Sequence, residues 1–139
     1  MGDFNKMLIE ELRAKRGEIA SGPMAGRPLL ILTTSGARTG QSREAVLTFT
    51  RDGDRYVVAA TAGGSPRNPA WFHNLVARPV AKVEVRGRAF EVRATVVEEA
   101  ERKRLWSAHV AERPEFAGYP EQTGRVIPVV TLERTDGRA

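Results

Sequence analysis

Cysteine is absent from this chain of 139 residues, and its only histidines are His73 and His109. Without thiols the protein can form no disulfide framework, no thiolate metal site and no cysteine nucleophile. Two histidines are also too few for a metal site built from several of them. The sequence therefore predicts a protein without a metal, and the lack of cysteine suits a reducing compartment such as the cytoplasm.

Long apolar segments are also missing. No stretch approaches the roughly 18 apolar residues that a membrane-spanning helix needs. Residues 1–16 carry acidic and basic side chains throughout and contain no apolar core of a secretory signal. We therefore expect a cytoplasmic protein whose N-terminal amphipathic helix packs on the domain or touches a membrane peripherally.

Positive charge is in excess. Lys and Arg total 22 against 17 Asp and Glu, which gives a net charge of +5 and an isoelectric point near 10.2. This balance favours an anionic partner: nucleic acid, a membrane surface or a phosphorylated small molecule. Aromatic residues make up only 6% of the chain, without the interleaved stacking stripe that nucleic-acid binding favours. We expect a small-molecule partner and no nucleic acid, and a monomer because no heptad pattern demands assembly.

The order of helices and strands predicts the fold class. Periodicity and turn signals give the order α-β-β-β-α-β-β-α-β, with hairpins at Asp52-Gly53 and around Arg86-Gly87-Arg88. Because strands do not alternate regularly with helices, a doubly wound parallel sheet is disfavoured. The chain is predicted to be mainly β (α+β), a small antiparallel barrel of about six strands with flanking helices. The predicted strands are residues 28–34, 43–51, 55–61, 80–85, 89–97 and 126–132.

Two parts of the chain are expected. Residues 1–26 form an amphipathic helix over 3–16 that ends at Gly17, followed by a linker containing Gly22 and Pro23, and residues 27–139 form the barrel. Two more helices are predicted, one from Asn68-Pro69 to Pro79 and one over 98–112. The apolar face of the first helix is predicted to comprise Phe4, Met7, Leu8 and Leu12, and that of the last to comprise Leu105, Trp106 and Val110.

The segment Thr33–Arg43 (TTSGARTGQSR) is a candidate anion site. Gly36 and Gly40 permit backbone conformations that expose N–H groups. Arg38 and Arg43 add guanidinium groups, whose geometry suits phosphate or carboxylate oxygens. The segment lacks the Walker lysine and does not open a helix. The alternative is an ordinary hairpin turn with solvated arginines.

The segment Ala60–Asn74 (ATAGGSPRNPAWFHN) is a candidate platform for a conjugated ring. Its double glycine allows a ligand to approach the backbone closely, and the following helix offers free N–H groups at its start. Trp71 supplies a flat face, and Asn74, one turn later, supplies an amide. The alternative is a loop followed by a core tryptophan.

Side chains that could catalyse a reaction unaided are scarce. No Gly-x-Ser-x-Gly elbow for acyl transfer is present. His73 is expected at a helix surface, and His109 has no acidic signature near it. The chain therefore needs a bound cofactor to be an enzyme.

Together the two segments resemble the deazaflavin-dependent nitroreductase family of actinobacteria. The resemblance runs from about residue 27 to residue 133. It rests on LTTSGARTGQSR at Leu32–Arg43, on AGGSPRNPAWFHNL at Ala62–Leu75, on Arg104-Leu105-Trp106, and on a tail with Pro114, Phe116, Tyr119 and TGRVIPVV from Thr123.

This resemblance implies a split β-barrel like those that bind flavin mononucleotide, and coenzyme F-420, an 8-hydroxy-5-deazaflavin with an anionic phosphate and glutamate tail. It implies a reductase that transfers a hydride from the reduced coenzyme to an electron-poor small molecule, such as a quinone, an unsaturated lactone or a nitroaromatic. A flavin- or haem-binding barrel without turnover is the alternative.

The resemblance also implies site residues. For protonation of the reduced substrate the candidates are Tyr119 and water. Many relatives carry basic residues where this chain has Ala37 and Ala62, so phosphate binding is expected to depend more on Arg38 and Arg43, with Arg67 as a further candidate. The implied substrate residues are Phe116, Tyr119 and Gln122. The implied coenzyme-binding residues are Arg38, Thr39, Arg43, Glu44, Ala45, Val46, Leu47, Thr48, Ala59, Ala60, Thr61, Ala62, Ala70, Trp71, Phe72, His73 and Asn74.

Overall fold

The structure, a computed structural model, describes residues 2–16, 19, 26–61 and 67–135, with side chains from Lys6 onward in these ranges. Four predicted features lie outside them: the helix end at Gly17, the linker around Gly22 and Pro23, the side chain of Phe4, and the coenzyme contact at Ala62.

The described chain contains seven strands and four α-helices. The strands are β1 (Leu29–Ser35), β2 (Ser42–Thr48), β3 (Thr50–Asp52), β4 (Arg55–Ala59), β5 (Val80–Val85), β6 (Arg88–Val96) and β7 (Val129–Arg134). The helices are α1 (Gly2–Ala14), α2 (Ala70–Ala77), α3 (Glu99–Glu112) and α4 (Tyr119–Thr123), and a 3-10 turn covers Pro114–Phe116. Across the described ranges, no helix is long and apolar enough to cross a lipid bilayer.

All strand pairs are antiparallel, and the sheet has the order β2-β1-β5-β6-β7-β4-β3. Strands β2 and β3 stand at opposite ends of this order, yet only Phe49 separates them in the chain. The sheet must therefore curl until its two ends meet. This confirms the predicted antiparallel barrel with flanking helices.

The structure has seven strands where about six were predicted, because the predicted strand 43–51 is two strands. The N–H of Phe49 donates to the carbonyl of Pro28 at 3.0 Å, and its side chain is buried in the barrel. Before this residue β2 pairs with β1, and after it β3 pairs with β4. Alternation of side chains continues through such a corner, so the sequence pattern does not reveal a change of pairing partner.

Strand β1 is buried on both faces and supports the whole domain. Leu30 and Leu32 point into the barrel, whereas Leu29 and Ile31 lie against α1. This explains why the strand reads as an uninterrupted apolar run. The barrel core comprises Leu30, Leu32, Phe49, Tyr56, Val58, Ala60, Trp71, Leu75, Ala81, Val83, Val85, Val92, Val130 and Leu132.

Helix α1 packs on the outside of the barrel through a small cluster of its own. Leu8 and Leu12 are buried as the periodicity predicts. Met7 is 66% exposed, and the buried residue is Ile9 instead. The prediction for Met7 was wrong because the face of α1 that contacts the barrel is rotated slightly away from the face that the apolar spacing indicated.

Candidate functional site

A cavity of about 660 Å³ opens between the β1–β2 turn and helix α2. The two segments that the sequence selected therefore face each other. The lining residues are Gly36, Ala37, Arg38, Thr39, Arg43, Glu44, Ala45, Ala70, Trp71, His73 and Asn74.

Glycine shapes the turn on one side of this cavity. The N–H of Gly36 donates to the carbonyl of Gln41 at 2.7 Å, and the N–H of Gly40 donates to the carbonyl of Gly36 at 2.8 Å. Gly40 has φ +74°, a left-handed conformation that is strained for residues with a side chain. A Cβ at this position would also lie 3.3 Å from Nη1 of Arg78. The turn therefore closes tightly beside the Arg78 guanidinium.

Asn74 joins the turn to helix α2. Its Oδ1 accepts a hydrogen bond from the N–H of Ala37 at 3.0 Å, and its Nδ2 donates to Oγ1 of Thr34 at 3.0 Å. The side chain is buried, so both halves of its amide serve to fix the cavity walls. Within the part of the chain that the structure describes, the backbone N–H groups of Arg38 and Thr39 make no hydrogen bond. These two donors remain available for an anion.

Two arginines at this cavity bind no carboxylate of the described residues. The Nη2 of Arg43 donates to the neutral Oε1 of Gln41 at 3.2 Å. Arg38 is exposed, and its side chain makes no hydrogen bond or ion pair to any described residue. Two guanidinium charges therefore remain uncompensated where a phosphate could bind.

Glu44 is the acidic residue in the cavity lining, and an arginine from α1 contacts it. Nη2 of Arg13 donates to Oε2 of Glu44 in a short contact. The same guanidinium binds Glu84 on β5, with Nε to Oε1 at 3.0 Å and Nη2 to Oε2 at 2.7 Å. The hydrogen bonds that Arg13 donates to Glu84 and, next in effect, to Glu44 raise the pKa of its guanidinium, which therefore stays charged. Sequence reasoning missed Arg13 because its partners are remote in the chain.

The α2 wall carries Trp71 and His73. Trp71 is only 8% exposed and belongs to the barrel core, where it meets Phe72 edge-to-face with ring centroids 6.5 Å apart. His73 and Ala70 are exposed and line the cavity. The core interpretation of Trp71 therefore holds alongside its place in the cavity wall, and only a small part of its ring can touch a ligand.

Other predicted coenzyme residues lie further from this cavity lining. Val46 packs under α1, and Leu47 and Phe72 pack against the barrel core. The remaining ones are Thr48 at the end of β2, Ala59 at the end of β4, and Ala60 and Thr61 directly after it.

Arg125 binds four residues of the Ala60–Asn74 segment, although the sequence analysis did not identify it as a site residue. Its Nη1 donates to Oδ1 of Asn68 at 2.5 Å. Its Nη2 donates to the carbonyls of Ala60 at 2.8 Å, and of Thr61 and Arg67 at 3.3 Å. These partners lie on both sides of the double glycine. An isolated arginine within the apolar block TGRVIPVV was the signal that could have found it.

Two of the three predicted substrate residues, Phe116 and Tyr119, belong to a separate aromatic stack, and none of the three is among the cavity-lining residues. Phe116 stacks on Tyr119 with ring centroids 5.4 Å apart, and on His109 at 5.0 Å with an interplanar angle of 7°. Trp106 lies on the other side of His109 at 6.3 Å. Phe116 is buried, Tyr119 is half-buried, and Gln122 is exposed. The stack fixes the position of Tyr119 relative to helix α3.

His109 is a buried histidine rather than a surface one. Its Nδ1 lies 2.8 Å from Oγ1 of Thr50, and its Nε2 has no partner in the described structure. Burial is the main cause that lowers the pKa of His109 to about 4, with the charge of Arg113 adding to it. His109 is therefore neutral at physiological pH, and it anchors α3 to β3.

The cavity is thus equipped to bind an anion rather than to perform acid–base catalysis. It combines uncompensated arginines, free backbone N–H groups and an apolar wall on α2. Its carboxylate, Glu44, is bound to Arg13, and its histidine, His73, is exposed. A reaction here depends on chemistry that a bound molecule supplies.

Comparison with known proteins identifies relatives along almost the whole chain. A family model described as F420H(2)-dependent quinone reductase matches residues 6–134. An F420H(2)-dependent quinone reductase of Mycobacterium tuberculosis is 38% identical over 125 residues, which cover 88% of this chain and 84% of that protein.

Solved structures agree with this match. An F420-H2-dependent reductase is 32% identical with a TM-score of 0.70, and the alignment covers 77% of this chain and 95% of that one. A protein solved as a domain-swapped dimer is 28% identical with a TM-score of 0.72, covering 95% and 98%. The split-barrel prediction is confirmed, whereas the expected monomer finds no support in the second structure.

Proposed function

The chain belongs to the F420H(2)-dependent quinone reductase family, and we propose that it uses reduced coenzyme F-420 to reduce a quinone or a comparable electron-poor small molecule. The family and the M. tuberculosis relative support the coenzyme and the quinone. The alternative of a flavin- or haem-binding barrel without turnover is not favoured.

The observation that carries this proposal is the pair of guanidinium groups of Arg38 and Arg43, which bind no carboxylate among the residues that the structure describes. Beside them are the N–H groups of Arg38 and Thr39, so the donor set suits a phosphate and an anionic tail. A charge-assisted hydrogen bond contributes roughly 1.5–3 kcal/mol. Two arginines and two amides therefore suffice for binding at micromolar strength, about 8 kcal/mol.

When bound, the reduced deazaflavin supplies a hydride. The residues of this chain bind and orient: Arg38 and Arg43 hold the anionic part, and the start of α2, Ala70 to Asn74, borders the ring. Holding the coenzyme and the substrate in the reactive orientation can lower the activation barrier by roughly 7–11 kcal/mol at best. Such an enzyme does not require a strong acid of its own.

Tyr119 is our candidate for delivering a proton to the reduced substrate. Its side chain is half-buried and positioned by the stack with Phe116 and His109. We further propose that Phe116 and Gln122 border the substrate. Residues 27–139 then form the coenzyme-binding unit, to which residues 1–26 add a helix.

A fluorescence titration with coenzyme F-420 tests the coenzyme assignment, with flavin mononucleotide as the comparator. We expect micromolar or tighter binding of F-420 and clearly weaker binding of the flavin. If the flavin binds as tightly, the assignment is wrong. Oxidation of the reduced coenzyme against a panel of quinones, unsaturated lactones and nitroaromatics then identifies the acceptor, and inactivity with every quinone would overturn that part.

A further inference from the structure

Helix α1 lies outside the barrel, but it reaches the candidate coenzyme cavity through one side chain. Arg13 binds Glu44, which lines the cavity, and Glu84, which does not. Lys6 and Arg13 of this helix also line an adjoining cavity of about 630 Å³, which shares Arg43 and Glu44 with the first. The helix is therefore part of the electrostatic surroundings of the site.

The chemistry of the cavity makes Glu44 a problem for an anionic ligand. Glu44 follows Arg43 directly on β2, and its side chain is 37% exposed in the ion pair with Arg13. A free carboxylate here would repel a phosphate and would compete with it for the guanidinium groups of Arg38 and Arg43. In the structure the carboxylate is instead bound by Arg13.

We propose that Arg13 is a positioning residue for coenzyme binding: it holds and neutralises the Glu44 carboxylate, so that Arg38 and Arg43 remain available to the anionic part of the ligand. This rests on the proposed function. It assigns helix α1 a role in affinity for the coenzyme, in addition to covering Leu29 and Ile31.

The geometry favours such a role over a contribution to stability alone. Arg13 and Glu44 are 44% and 37% exposed, and ion pairs with this exposure contribute little to folding. Arg13 also has a second carboxylate, Glu84, with side-chain exposure of 20%. Glu84 fixes the guanidinium on the side of β5, from where Nη2 reaches Glu44. Burial of Leu8, Ile9 and Leu12 holds α1 on the barrel independently of this contact.

The test is fluorescence titration of F-420 with Arg13→Gln and two charge-restoring double variants. We expect Arg13→Gln to weaken binding roughly three- to tenfold, as one uncompensated charge near the ligand does. Adding Glu44→Gln should restore the affinity to within about twofold. Adding Glu84→Gln restores the same net charge but leaves Glu44 without its contact to the Arg13 guanidinium, so it should not.

A second ligand separates this role from a structural one. The ribityl deazaflavin without the phosphate and the glutamate tail should bind wild type and Arg13→Gln equally, because it lacks the anionic part that Arg38 and Arg43 are proposed to hold. Arg102→Gln removes a similar ion-paired arginine on α3, away from the cavity, and should leave F-420 binding unchanged. Arg13→Lys keeps the charge and should retain most of the affinity, which guards against a fold defect in the glutamine variant.

Two outcomes would overturn the inference. One is unchanged F-420 binding by Arg13→Gln; the other is equal rescue by Glu44→Gln and Glu84→Gln, which would mean that only net charge matters. Either result leaves the proposed function intact if the wild type binds F-420. Failure of the wild type to bind F-420 would instead contradict the proposed function itself.

Discussion

Two hairpin turns of this barrel carry arginines, and they use them in opposite ways. In the β1–β2 turn, Arg38 and Arg43 have no carboxylate partner in the described structure. At the β3–β4 turn, Asp52 binds both Arg55 and Arg104, with Nη1 and Nη2 of Arg104 at 3.2 and 3.3 Å. Residue type alone therefore does not separate an arginine that holds the fold from one that is available to a ligand; the surrounding acids do.

The β3–β4 turn also shows how an arginine that binds carboxylates can link elements of the fold. Arg55 adds a second contact to Glu101 of α3 at 2.9 Å, so the network attaches that helix to the hairpin. Hydrogen bonds from Arg104 first and Arg55 second lower the pKa of Asp52 to about 2. The arginines at this turn bind carboxylates of the protein itself, whereas Arg38 and Arg43 at the β1–β2 turn bind no carboxylate of the described residues.

The largest effect is expected when both available arginines are removed. Arg38→Ala with Arg43→Ala should weaken F-420 binding at least tenfold, on the order of 1–3 kcal/mol, because two charge-assisted contacts are lost. The free energy of unfolding should stay nearly unchanged, since neither guanidinium binds a carboxylate. Titration together with urea denaturation measures both quantities. Undiminished affinity would place the anion site elsewhere.

An intermediate case is Arg125, which binds carbonyl groups instead of acids. Arg125→Met should lower the free energy of unfolding by about 2 kcal/mol, because Ala60 and Asn68 lose a charged donor in a half-buried place. It should also weaken F-420 binding, since the ends of the glycine-rich segment are no longer held together. Denaturation and titration would show both losses. A loss of stability with unchanged affinity would restrict Arg125 to a structural role.

Burial of His109 makes the free energy of unfolding depend on pH. The pKa of His109 is about 4 in the folded protein against an ordinary 6.5. Between these two pH values the unfolded chain therefore binds a proton that the folded protein does not bind. Stability that is present above pH 6.5 is therefore lost as the pH falls, by about 1 kcal/mol between pH 7.5 and 5.5. Urea denaturation at both values should show this loss. His109→Asn should flatten the slope.

The smallest effect is expected at the saturated turn. Arg55→Gln should lower the free energy of unfolding by about 1 kcal/mol or less, as for other partly exposed ion pairs, and should leave F-420 binding unchanged. NMR titration of Asp52 should show its pKa rising when Arg55 is replaced, and rising more when Arg104 is. A clear loss of coenzyme affinity in Arg55→Gln would contradict the division between the two turns.

Local signals in the sequence predicted much of this molecule. Gly36, Gly40 and the two arginines lie within eight residues of one another, so a turn and its charge can be read together. The antiparallel barrel likewise follows from hairpins whose strands are neighbours in sequence.

What the sequence could not predict depends on distant pairs. Arg125 lies 65 residues from Ala60, and Arg13 lies 71 from Glu84, and no spacing rule links them. The corner at Phe49 was missed because a change of strand partner leaves no trace in side-chain alternation. The role of Asn74 was only half predicted: its amide does serve the site, but by fixing Ala37 and Thr34.

Strand β7 occupies the middle of the sheet, between β6 and β4, although it comes after every other described strand in the chain. Its Leu132 faces Ala94 on one side and Tyr56 on the other. Without β7 the sheet divides into two fragments, β2-β1-β5-β6 and β4-β3, which are joined at Phe49. The barrel therefore closes only when β7 pairs with β6 and β4, and until that step of folding these two strands have an unpaired edge that is open to a chaperone or a second copy.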